Sequence, residues 1–105
     1  MVAAFFERDG FELDQLATFD LGGDPDMNRV SFDCLEAAGL STCHADSDGL
    51  FISCTGWRTQ PVIEKLEAAL NKPVITSNQA LAWSALRKAG VMEKKEGLGR
   101  LFKEA

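Results

Sequence analysis

The chain has 105 residues, 46% of them hydrophobic and 26% charged, with a formal net charge of −5. That length bounds a single small domain, residues 1–105, able to bury roughly 60 to 65% of its unfolded surface. The acidic balance, with no basic cluster beyond Lys94-Lys95, argues against nucleic acid as a partner. No apolar run approaches the length needed to span a bilayer, and Met-Val-Ala-Ala-Phe-Phe-Glu-Arg lacks the basic start of a signal peptide, so a membrane is not expected to be a partner either. Three cysteines, Cys34, Cys43 and Cys54, are an odd number without C-x-x-C spacing, which points to a reducing, cytoplasmic setting rather than a disulfide scaffold. The one histidine, His44, cannot by itself complete a zinc site with them, and Cys43-His44 reads as a solvated loop.

Residues 1–9 read as a helix with Val2, Phe5 and Phe6 on one face and Gly10 as its C′ stop. This helix has no N-cap and no strand before it, so the chain begins inside an element. Residues 11–19 alternate imperfectly and suggest a strand. Asp24 before Pro25 is a good helix start, and Met27, Val30, Cys34 and Ala37/Ala38 then recur at helical spacing, which places Cys34 in a core. Gly39 to Asp48 reads as a polar loop. A near-continuous apolar run over 50–54 suits a parallel strand covered on both faces.

A helix follows over about 58–70, with Val62, Ile63, Leu66, Ala69 and Leu70 as its buried stripe. Asn71-Lys72-Pro73 breaks it, and Val74-Ile75-Thr76 is a short β-branched strand. Ser77 is a natural N-cap for a helix over 78–89 that buries Leu81, Ala82, Ala85, Leu86 and Ala89. Gly90-Val91 resembles a glycine C-cap with its hydrophobic contact, and the tail over 97–102 is apolar enough to dock. The order α-β-α-β-α-β-α with short connections predicts a parallel three-stranded sheet.

The chain is organised around Gly49-Leu50-Phe51-Ile52-Ser53-Cys54-Thr55-Gly56-Trp57-Arg58-Thr59-Gln60-Pro61, which reads as strand, tight turn and helix N-terminus. Cys54 then lies beyond the carboxyl end of a strand, where open α/β sheets bind ligands. The positive end of the next helix favours a thiolate and can hold a carboxylate. A buried structural cysteine is the competing interpretation, and spacing alone does not choose. The two strand-to-helix junctions, at 54–59 and 76–79, are expected side by side, so Thr55, Thr59, Thr76, Ser77 and Asn78 would converge near Cys54. Thr59 and Ser77 serve equally well as plain helix caps. Arg58 can receive a substrate carboxylate or simply be solvated, and Trp57 and Trp83 suit packing better than ligand binding.

Several stretches together carry a resemblance. Leu50-Phe51-Ile52-Ser53-Cys54-Thr55 with Arg58-Thr59, Val62-Ile63 and Leu66-Glu67 is followed by Lys72-Pro73-Val74-Ile75-Thr76-Ser77-Asn78-Gln79-Ala80-Leu81-Ala82-Trp83. Ala85-Leu86-Arg87, Ala89-Gly90 and Gly99-Arg100-Leu101-Phe102 complete the set. In this order they resemble the second half of the maleate cis-trans isomerase group of the aspartate/glutamate racemase superfamily, which is similar to arylmalonate decarboxylase.

The resemblance implies an α/β, Rossmann-like three-layer fold and two similar halves facing each other, each contributing a strand-end cysteine. It implies cofactor-independent chemistry on a small carboxylate or dicarboxylate through a carbanion that needs preorganised donors. Cys54 matches the second-half cysteine, and Thr55 and Gly56 fall where backbone N–H groups would meet a carboxylate. Arg58, Ser77 and Asn78 are the further expected substrate contacts. The first half of the family pattern, with its own cysteine, has no counterpart here. The sequence therefore looks like the C-terminal portion of a longer enzyme, or a shortened relative completed by a second copy. Maleate-type isomerisation is the leading expectation, and decarboxylation or a non-catalytic acid-binding or protein-binding role are the alternatives.

Overall fold

Two short strands in parallel register form the sheet. Leu50 of β1 (Leu50–Ile52) lies opposite Val74 of β2 (Val74–Thr76), Phe51 opposite Ile75 and Ile52 opposite Thr76. A parallel pair needs a crossover connection, and here it is the helix α3 (Gln60–Leu70). The other elements are α1 (Val2–Arg8), α2 (Phe32–Thr42), α4 (Ser77–Lys88) and α5 (Arg100–Glu104). The structure is a computed structural model and describes residues 2–13, 15, 31–53 and 59–105.

Successive strand residues point to opposite faces. Leu50, Ile52 and Val74 face α2 and α3, joining Leu35, Val62, Leu66 and Leu70 in the main core. Phe51 faces the other way, where Phe6 of α1 meets it with ring centroids 4.9 Å apart. The sheet thus carries helices on both sides, as the α/β expectation required. Complete burial of side chains such as Ile63, Leu66 and Val74 stabilises the fold by about 1.5 to 3 kcal/mol each.

The N-terminal helix ends as its sequence predicted. Gly10 N–H donates to Glu7 O and Phe11 N–H to Phe6 O, and the Phe6 and Phe11 rings meet edge to face at 5.4 Å. That pairing of hydrogen bonds and apolar contact is a Schellman stop, repeated at Gly90-Val91 with Arg87 O and Leu86 O. Of the strand expected over 11–19, residues 11–13 and 15 have no strand pairing and the remainder lies outside the described residues. Among the described residues the sheet therefore has two strands. The side chains of Val2 and Phe5 also lie outside the described set.

The second helix departs from expectation at both ends. It starts at Phe32 because Ser31, in an extended conformation, caps it by accepting a hydrogen bond from Cys34 N–H at 3.1 Å. The helix start expected at Asp24-Pro25, with Met27 and Val30, falls outside the described residues. The cap resets the phase, so Leu35 and Gly39 face the core while Cys34 is exposed. The predicted core cysteine is thus a surface one. At its other end the helix continues through Gly39 to Thr42, four residues into the stretch expected to be loop. Gly39 is there for close approach: a Cβ would lie 2.9 Å from one methyl of Leu66 and 3.2 Å from Leu50. Beyond it, the Lys72 ammonium ties the loop by donating to His44 O and Ala45 O at 2.8 Å each.

In α3, Val62, Ile63 and Leu66 are buried as predicted and Leu70 is half-buried, but Ala69 is exposed and Glu67 is buried in its place. The predicted stripe of α4 is overturned. Leu81, Ala82, Ala85, Leu86 and Ala89 are all exposed, and Gln79 is the buried residue of that helix. Leu81 retains 66% of its surface. The apolar spacing is present, but the described residues do not cover that face. The tail does dock: Phe102 is buried, and its carbonyl accepts from Lys95 N–H.

Candidate functional site

The register that pairs Ile52 with Thr76 ends the two strands level, so the chain leaves the sheet twice along one carboxyl edge. The first exit runs through Ser53, exposed, into α3. Cys54, Thr55, Gly56 and Arg58 belong to this exit and lie outside the described residues, as does Trp57. At its far end Thr59 is buried, with helical dihedrals and no side-chain cap bond. Its expected capping role is not realised. Pro61 sits in the first turn of α3, where its missing N–H costs nothing.

The second exit is fully defined. The Thr76 hydroxyl accepts from Gln79 N–H at 3.1 Å, and the Gln79 side-chain oxygen accepts from Thr76 N–H at 3.2 Å. This reciprocal capping box makes Thr76, not Ser77, the N-cap. The sequence signal was a hydroxyl residue followed three places later by glutamine, and Thr76 fits it where Ser77 does not. Ser77 and Asn78 are instead the first two residues of α4. Ser77 is half-buried and Asn78 exposed, beside backbone N–H groups that the helix itself cannot satisfy.

Two further polar side chains fasten the C-terminal tail to the sheet and its helices, and neither was assigned a role from the sequence. Gln79 is 5% exposed and also donates to Leu98 O at 2.7 Å. Glu67, 9% exposed, accepts from Val74 N–H at 3.1 Å and from Arg100 N–H at 2.9 and 3.1 Å. Its carboxylate joins the start of β2 to the start of α5. An acidic residue inside the run Ile63-Leu66-Leu70 was the available clue, because a carboxylate on an apolar stripe must find donors or remain costly to bury. Near the sheet edge, Gln60 of α3 donates to Gly97 O at 2.9 Å.

Among the described residues no three His, Cys, Asp or Glu side chains gather as a metal site, and no helix is long and apolar enough to cross a membrane. Cys43 caps α2, half-buried, and His44 accepts from Asp46 N–H in the exposed loop. A sheet edge with helix N-termini beside it supplies partial positive charge and N–H donors, suited to a carboxylate.

A family model described as arylmalonate decarboxylase matches residues 1–102. Arylmalonate decarboxylase of Bordetella bronchiseptica is 44% identical over 61 residues, covering 57% of this chain and 25% of the relative. Maleate isomerase of Nocardia farcinica (strain IFM 10152) is 26% identical over 104 residues, covering 98% of this chain and 41% of the relative. A solved arylmalonate decarboxylase structure superposes with a TM-score of 0.88 at 33% identity, covering 99% of this chain and 47% of that one. The Gly74Cys-Cys188Ser mutant in its liganded form, numbered as in that enzyme, reaches 0.92 at 32% identity over 99% of this chain and 46% of that one. The chain thus spans less than half the length of these relatives. With the family pattern matched from residue 1 to residue 102 and the fold shared at these TM-scores, the chain belongs to the arylmalonate decarboxylase family.

Proposed function

We propose that this chain supplies the thiol-bearing part of a cofactor-independent site for a small dicarboxylic acid, with Cys54 as the reactive residue. Thr55, Gly56, Arg58, Ser77 and Asn78 are the proposed carboxylate contacts. The observation that carries this reading is the level ending of β1 and β2, where Ile52 pairs with Thr76. Each proposed contact follows one of these two strand ends by one to six residues. Family membership adds the chemical class, since both curated relatives are named for acids with two carboxylates.

Such a site would work by stabilising a carbanion. In decarboxylation the C–C bond to one carboxylate breaks and carbon dioxide leaves. Its bonding pair stays on the α-carbon, shared with the remaining carboxylate as an enediolate. The Cys54 thiol then gives its proton to that carbon and is left as thiolate. Hydroxyl and N–H donors aimed at the enediolate oxygens lower the barrier because they need no reorganisation as charge develops. The positive end of a helix helps keep the thiol within range of proton transfer near neutral pH. Isomerisation of maleate is the second reading, favoured by the Nocardia relative, which aligns over 98% of this chain. There the Cys54 thiolate adds to the alkene, the former double bond rotates as a single bond, and expulsion of the thiolate restores the alkene as fumarate.

Titrating the full chain with an arylmalonate or with maleate, followed through backbone amide resonances, tests the proposal. The expected result is saturable shifts concentrated in residues 54–60 and 76–79. Shifts elsewhere, or none at millimolar ligand, would overturn it.

A further inference from the structure

We propose that residues 97–100 form a clamp tying the first turn of α3 to the capping box of α4, and that Gln79 is the positioning residue of the Ser77–Asn78 turn. The proposal takes the function of that edge from the reading above, but its geometry stands by itself. Three successive attachments fix the segment. Gly97 O accepts from Gln60 at the start of α3, Leu98 O accepts from Gln79 in the first turn of α4, and Arg100 N–H donates to Glu67. Thus one four-residue segment is bonded to the first residue after Thr59 and to Gln79, the residue that completes the Thr76 capping box.

Gln79 is where the clamp and the turn become one unit. Its side-chain nitrogen holds Leu98 while its side-chain oxygen holds Thr76 N–H, and its own N–H is bound by the Thr76 hydroxyl. Lifting the segment would leave the buried amide half-satisfied and remove the restraint on the capping oxygen. Gly99 lets the segment lie this close. Its φ is +90, and a Cβ there would fall 2.6 Å from Ile63 and 2.7 Å from the Gln79 nitrogen. Gly90 has nearly the same dihedral, φ +87, but a Cβ there meets nothing within 4 Å. The two glycines therefore make a matched pair: alanine is strained at both, and only at Gly99 does it displace the clamp.

Amide hydrogen exchange of the full chain, read by peptide mass spectrometry, tests this. In Gly99→Ala, exchange over 59–62 and 76–80 should rise roughly tenfold, as expected for loss of one buried hydrogen bond. Gly90→Ala should lower the unfolding temperature while leaving those segments at the wild-type rate. Should Gly99→Ala fail to fold, the milder Gln60→Met at an exposed position should still speed exchange over 76–80 through the shared segment. Gln79→Met should in addition raise the apparent pKa of Cys54 alkylation, a change Gly90→Ala should not produce. Equal junction exchange in the two glycine variants, or changes in Gln60→Met confined to 59–62 and 97–98, would overturn the clamp. None of the exchange measurements needs a ligand. A missing response to dicarboxylates would therefore count against the proposed function, and unlinked junctions against the clamp.

Discussion

The two helices that follow the strands, α3 and α4, were written with similar apolar spacing and met opposite fates. In α3, Val62, Ile63 and Leu66 are fully buried. In α4, Leu81 and Leu86 remain exposed, and Met92 just beyond it keeps 64% of its surface. The difference lies in what meets each helix. α3 lies against α2 on one side and β2 on the other, so Leu35, Gly39 and Val74 close over its stripe. In α4 the residue closed over is Gln79, taken up by the capping box and Leu98. Helical periodicity marks which face is apolar, and burial depends on having a surface to set against it.

Truncating Leu66 should break that contrast most sharply. Leu66→Ala empties a fully buried site and should cost about 2 to 5 kcal/mol, read as a lower denaturant midpoint at unchanged slope. Leu81→Ala, the same change on α4, should stay within about 0.5 kcal/mol. Comparable losses at both would mean that the α4 face is covered after all.

Polar burial ranks next. Glu67→Leu removes the acceptor of two backbone N–H groups and should cost about 2 to 6 kcal/mol, since unmet buried donors cost about 1 to 3 each. Its loss should also release the tail, seen as faster proteolysis after residue 95. The two junctions then separate by their caps. Thr76→Ala should destabilise by about 0.5 to 2 kcal/mol, whereas Thr59, which makes no cap bond, should lose little of its contribution on Thr59→Ser.

The smallest effect belongs to the tail's surface pair. Arg100 donates to Glu104 at 2.6 and 3.3 Å, and this hydrogen bond holds the Glu104 carboxyl below its ordinary value of 4.5. A carboxyl lowered on folding adds stability that is full above its unfolded value and is lost as pH falls through the folded one. Wild type and Glu104→Gln should therefore differ slightly at neutral pH and converge on acidification below about pH 4. A constant gap across that range would show that the pair contributes nothing through its charge.

How much was legible in the sequence follows from the same contrast. Local signals were read correctly where they were self-contained: the Gly10 and Gly90 stops, the strand Val74–Thr76, the start of α3 near Pro61 and the family resemblance. Errors arose where a partner decides. Helical spacing places Cys34 in the core, but the helix starts afresh at its Ser31 cap and leaves Cys34 exposed, and Gly39, which reads as a helix stop, instead admits Leu66. The cap lies at Thr76 rather than Ser77 because only Thr76 has a glutamine three residues on to return its hydrogen bond. Glu67, which joins the start of β2 to the tail, and Gln79, which joins α4 to it, gave only the faint signal of polar residues within apolar runs. At the candidate site, Cys54 is proposed from its place after an apolar strand, whereas the network around the second junction depends on residues 97–100, distant in sequence.

The most direct test of the account is the pH dependence of alkylation at Cys54 in the folded chain, separated from Cys34 and Cys43 by peptide mass spectrometry. An electropositive strand-end site predicts an apparent pKa well below the ordinary thiol value of about 8.5, with dicarboxylates protecting Cys54 but not Cys34. A normal or raised pKa, or equal protection of the surface thiol, would contradict it.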